Sequence, residues 1–133
     1  MLYSFGSTLI KKYFEDFREP RDIDFVSNNK SDIKPREEGI DYFYIPVLPD
    51  RELTIDEFYT LRISHMVYNC IWDKTYEDVL FLKGKGCKID KEFLTLLREY
   101  WTREAEGIDG RKIVRPVATE EQMKIVKELE DGE

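Results

Sequence analysis

The chain has 133 residues, 41% of them hydrophobic and 14% aromatic, a length that suits one domain with a real core and a composition that argues against disorder. A formal net charge of -7 argues against a broad, nonspecific grip on nucleic acid. No apolar run approaches the roughly 20 residues needed to span a bilayer, and no secretory signal precedes the first strand, so cytoplasm is the expected compartment.

In chain order, Leu2-Tyr3-Ser4-Phe5 reads as a short strand and Gly6-Ser7 as the turn into a helix running to about Phe17. Glycine at such a turn lets backbone approach a ligand, and the unsatisfied N–H groups of a helix start attract phosphate. Asp22-Ile23-Asp24-Phe25-Val26 follows as a second strand. Side chains alternate along a strand, so Asp22 and Asp24 converge on one side while Ile23 and Phe25 can enter the core. Two like charges held that close repel each other unless a cation sits between them. Oxygen-only ligation with an open coordination sphere suits Mg²⁺. The plainer alternative is that both acids merely solubilise an edge strand.

Ser27 to Gly39 is polar and reads as a loop long enough to be mobile. Ile40 to Val47 is an aromatic-rich strand stopped by Pro46 and Pro49, and Asp41 is the only acidic residue in it. The second half turns helical. Thr54 is a plausible N-cap ahead of Asp56 and Glu57, and the helix, apolar almost all round, runs to about Trp72. Thr75 with Asp78 suggests the cap of a helix ended by Gly84-Lys85-Gly86. Asp90 caps the next, in which Phe93, Leu94, Leu97, Tyr100 and Trp101 recur at helical spacing. Gly107 and Gly110 break it, Ile113 to Val117 is an extended connector with Pro116, and Thr119 with Gln122 opens a terminal amphipathic helix. Much of the acidic excess lies in that last stretch, where six acids face only Lys124 and Lys127. Cys70 and Cys87 read as reduced thiols, and Trp72 and Trp101 as core. His65 on an apolar helix is either a hydrogen-bonded core residue or, with Arg62 and Lys74, part of a site for an anion.

The Gly-Ser turn, the helix and Asp-x-Asp on the next strand resemble the nucleotidyltransferase superfamily that includes DNA polymerase beta. Arg18-Glu19-Pro20-Arg21-Asp22-Ile23-Asp24 also resembles small phage-encoded members of it, as do Tyr59 to His65, Trp72-Asp73-Lys74, Asp78, Phe81-Leu82-Lys83 and Gly86-Cys87. The likeness covers most of residues 3 to 101. It departs from the common pattern in the slightly longer spacing of fourteen residues between Ser7 and Asp22, and in a first strand with no helix before it.

That resemblance implies a single α+β domain over residues 1–133: a small mixed sheet carrying the acids in 1–50, packed against a helical part in 54–105, then a connector and terminal helix in 106–133. It implies transfer of a nucleoside monophosphate from a triphosphate to an acceptor (protein, RNA or small molecule), in a phage protein of the host cytoplasm. Asp22 and Asp24 would hold Mg²⁺, with two ions possible, and Asp41 would supply the third carboxylate or else be a solvated strand-start aspartate. Gly6 and Ser7 would hold terminal phosphates, and Lys74 and His65 would counter phosphate charge. No membrane partner is expected, and a homo-oligomer is possible. The alternative is a non-catalytic interaction protein on the same fold, binding a host or phage protein.

Overall fold

The computed structural model of the chain describes residues 1–68, 72–106 and 117–132. Among the described residues the protein is mixed α+β, with a three-stranded sheet and five α-helices. It divides into two compact units, Met1–Ile55 and Asp56–Glu133.

The first unit holds the sheet. Strand β1 (Tyr3–Phe5) runs antiparallel to β2 (Ile23–Ser27), and β3 (Ile40–Tyr44) runs parallel to β2, which is therefore central. Helix α1 (Gly6–Tyr13) lies in the β1–β2 connection. A parallel pair needs a crossover of about a dozen residues, and residues 28–39 supply it, with a 3₁₀ turn at Lys30–Asp32. Phe5, Leu9, Ile10, Phe17, Val26, Ile45, Leu48 and Leu53 are buried in this unit.

Several boundaries differ from expectation. Helix α1 stops at Tyr13 instead of reaching Phe17, and Phe14 is already extended. Lys11 Nζ donates to the carbonyls of Glu15 (2.6 Å) and Phe17 (2.8 Å), folding the chain back and seating Phe17 in the core. Strand β3 ends at Tyr44, short of Val47, and Ile45 N donates to Ser27 O. The crossover is pinned at its start, because buried Ser27 donates through Oγ to Asp32 Oδ2 (2.7 Å) and accepts from Asn29 N. Ile23 does not enter the core and is 49% exposed. Burial along β2 rises from Ile23 to Ser27 instead of alternating, so this central strand is open at its start and buried at its end.

The second unit contains α2 (Ile55–His65, from the last residue of the first unit), α3 (Trp72–Gly84), α4 (Lys91–Glu106) and α5 (Glu120–Glu130). Its core includes Phe58, Ile63, Val79, Leu82, Leu97 and Val126, all fully buried. Helix α2 ends at His65, not near Trp72, because the chain then pairs as a strand would: Tyr68 bridges Val117, and Ala118 N donates to Val67 O (2.8 Å). Trp72 instead opens α3, in which Thr75 is a buried helical residue and not a cap.

The other ends follow the expected signals. Gly86, at a φ of 87°, lies just past α3, where Cys87 N donates to Leu82 O. Asp90 Oδ1 caps α4 through Phe93 N, and Thr119 and Gln122 form a reciprocal capping box on α5. Cys70, the glycines at 107 and 110, and the connector expected over 113–116 lie outside the described residues. Among the described residues no helix is long and apolar enough to cross a membrane.

Candidate functional site

Three strand ends define one end of the sheet. Strand β1 runs antiparallel to β2, so the end of β1 meets the start of β2, and the parallel β3 starts there too. The start of α1 follows β1 without a gap. The end at which β2 is open is therefore also the end that carries a helix N-terminus.

The register places the candidate acids. Asp24 is the partner of Phe5 on β1 and of Asp41 on β3. Residues directly opposite on neighbouring strands project to the same face. Asp24 and Asp41 thus share a face with Phe5, Val26 and Phe43, and the Phe5 and Phe43 rings lie 5.5 Å apart. Asp22 precedes β2 and is exposed, so the strand begins one residue later than the Asp-x-Asp reading needs. Among the described residues no group of three or more His, Cys, Asp or Glu side chains is arranged to hold a metal ion. What the sheet assembles is a pair, not a triad.

Gly6 abuts that pair. Its φ is 59°, and a Cβ there would overlap Asp24 Oδ2. Only glycine meets both demands at once, the left-handed backbone and the close approach. Helix α1 starts without a side-chain cap from Phe5. Ser7 is buried in its first turn. Thr8 was not among the candidates, yet it ties the helix to the acidic segment: its Oγ1 accepts from Asp24 N (3.0 Å) and donates to Asp22 O (3.4 Å). A hydroxyl next to Gly-Ser was the available signal. Arg36 was also missed; its Nε lies 3.0 Å from Asp41 Oδ1, and its position in the polar crossover gave no sign of that partner.

Not every acid of this unit belongs to that face. The Met1 ammonium and the Ser27 hydroxyl hydrogen-bond Asp32 and hold its carboxyl below the usual range. Arg18, the first residue of the Arg-x-Pro-x-Asp-x-Asp run, lies over the Phe17 ring at 4.9 Å.

His65 and Lys74 belong to the second unit. His65 ends α2, and its ring meets Trp101 edge-on at 4.7 Å and Tyr68 at 5.7 Å. Trp101 is 9% exposed and its Nε1 donates to Ser64 Oγ (3.0 Å). The imidazole is thus part of an aromatic cluster. Lys74 is exposed in the first turn of α3.

Asp24 and Asp41 are the residues at this sheet end that could hold a metal ion. Mg²⁺ usually takes one or two carboxylates and fills its remaining positions with water and phosphate oxygens, and Asp24 and Asp41 offer two carboxylates on one face. No family model matches this chain, and no curated protein and no solved structure matches it either.

Proposed function

We propose that the sheet end at which β2 and β3 start binds a nucleoside triphosphate with Mg²⁺, and that the protein is a minimal nucleotidyltransferase. The observation that carries this reading is the in-register pair Asp24 and Asp41 with Gly6 pressed against Asp24. Asp24 and Asp41 would hold the metal, with Asp22 beside them. Bound there, Mg²⁺ would neutralise charge on the triphosphate. The N–H groups at the start of α1 would meet the phosphates, and the missing Cβ of Gly6 lets the Asp24 carboxylate lie against that helix start. Thr8 fixes the backbone on either side of Ile23 and so keeps Asp24 in place. In the reaction an acceptor oxygen attacks the α-phosphorus, the bond to the bridging oxygen breaks, and pyrophosphate leaves. Asp41 is the base that takes the acceptor's proton.

The test is transfer of label from α-labelled triphosphates, with Mg²⁺ or Mn²⁺, to the protein itself, to RNA and to a lysate of candidate acceptors. Transfer by wild type that is absent with Asp24→Asn supports the reading. No transfer by wild type under any of these conditions counts against it.

A second reading is an interaction module on the same fold. It is favoured by Phe43 and Tyr44, 40% and 42% exposed on the edge strand β3. Such a module binds its partner whether or not Asp24 is changed.

A further inference from the structure

Asp41 already has a cationic partner at the sheet end. The Arg36 guanidinium approaches Asp41 Oδ1 at 3.0 Å; the Asp41 side chain is 25% exposed and that of Arg36 77%. Arg36 comes from the β2–β3 crossover, just before the turn in which Ile40 N donates to Glu37 O and Glu37 bridges Ile40. Its backbone is therefore held beside the start of β3, while its side chain reaches from solvent onto the acidic face. Asp24 stands opposite Asp41 on that face, and like charges directly opposite in a sheet destabilise it. A guanidinium on one of the two relieves that repulsion.

We infer that Arg36 is an exchangeable counter-ion: it holds Asp41 in the metal-free protein and turns to the triphosphate once Asp41 is engaged by a cation. This rests on the metal–triphosphate reading above. An exposed ion pair is weak, so the exchange costs little. The planar guanidinium, with five donors, suits phosphate oxygens as well as a carboxylate. The short tether to β3 keeps it beside Asp41, on the face where Asp24 stands opposite, and so within the proposed site. Arg36 would thus link the two ligands, lowering affinity for metal alone and raising affinity for metal and triphosphate together.

The experiment is Mn²⁺ binding followed by electron paramagnetic resonance, alone and with a non-hydrolysable triphosphate, for wild type, Arg36→Gln, Arg36→Lys and Asp24→Asn. Arg36→Gln should bind Mn²⁺ alone about two- to fivefold tighter, the range over which an exposed ion pair competes. Its triphosphate affinity in the presence of Mn²⁺ should fall about tenfold or more, as charge-assisted hydrogen bonds are lost. Arg36→Lys, which keeps the charge but not the fork, should lie between the two. Wild-type Mn²⁺ binding that depends on Asp24 but is unchanged or weaker in Arg36→Gln overturns the counter-ion role alone. Unchanged triphosphate affinity in Arg36→Gln overturns the phosphate role. If none of the proteins binds Mn²⁺, the inference and the reading beneath it both fall.

Discussion

The sheet unit and the helical unit differ in where they leave their polar groups. In Met1–Ile55 the central strand is buried at one end and open at the other, and at its open end Asp24 stands in register with Asp41, its carboxylate in the space that a side chain at Gly6 would need. In Asp56–Glu133 polar side chains are instead absorbed into the packing: Ser64 accepts from the Trp101 indole, Thr60 accepts from Asp90 N, and His65 joins an aromatic cluster. A polar group that serves packing has its partners within the fold. Asp24 and Asp41 instead set two like charges opposite each other, a repulsion that the exposed Arg36 guanidinium offsets at Asp41. Substitutions should therefore separate the two units, with stability effects concentrated in the helical one and ligand effects in the sheet.

The largest stability effect is expected at Trp101. Truncation to alanine empties a buried site and removes the only donor described to Ser64 Oγ, so Trp101→Ala should cost about 3–5 kcal/mol. Urea denaturation measures it, and a loss below about 1 kcal/mol would show that the helical core is not built around this ring.

Gly6→Ala comes next and sharpens the comparison, because here a sheet-unit change should affect stability and site together. The left-handed backbone alone accounts for about 1–2 kcal/mol, and overlap of the new Cβ with Asp24 Oδ2 adds to it. Thermal melts with and without Mn²⁺ should show a lower melting temperature and a weaker metal response. A variant with wild-type stability would mean that the close approach to Asp24 is not a constraint.

The smallest effect concerns Cys87. Burial, and then Asp56, push its thiol up from 9.0 to about 11. The folded chain therefore holds this proton to higher pH than the unfolded chain does. Its contribution to stability is complete below about pH 9 and is lost as pH rises towards about 11. At pH 8, in a Cys70→Ser background, a thiol reagent should modify native Cys87 more slowly than the unfolded protein. Equal rates would contradict the protected environment.

How far the sequence could be read depended on local signals. The caps at Asp90 and Thr119–Gln122 and Gly86 just past α3 lie where the residues implied, because a cap is a short-range hydrogen bond between neighbours in sequence. The end of α2 was misjudged. A run that is apolar all round carries no periodic break, and its stop is set by pairing with Val117, almost fifty residues away. Ile23 was misjudged because alternation describes the two faces of a strand, whereas burial here changes from one end to the other. At the sheet end, Gly6, Asp24 and Asp41 could be singled out by residue type. The register that opposes the two acids and the contact of Thr8 with Asp24 are set between distant residues, and the Arg36–Asp41 pair, though only five residues apart, depends on how the crossover folds back onto β3.

If Asp24 and Asp41 form a metal-dependent triphosphate site, calorimetric titration of Mg²⁺ and a non-hydrolysable triphosphate into wild type and the Asp24→Asn, Asp41→Asn double variant will show it. The substitutions are nearly isosteric, and they remove the opposed charges together with the exposed, weak Arg36–Asp41 ion pair, so the variant should keep its fold. Wild type should bind the triphosphate only with Mg²⁺ present, and the variant should not bind it under either condition. Triphosphate binding that persists in the folded variant, or that is missing from wild type with both Mg²⁺ and Mn²⁺, would contradict the claim.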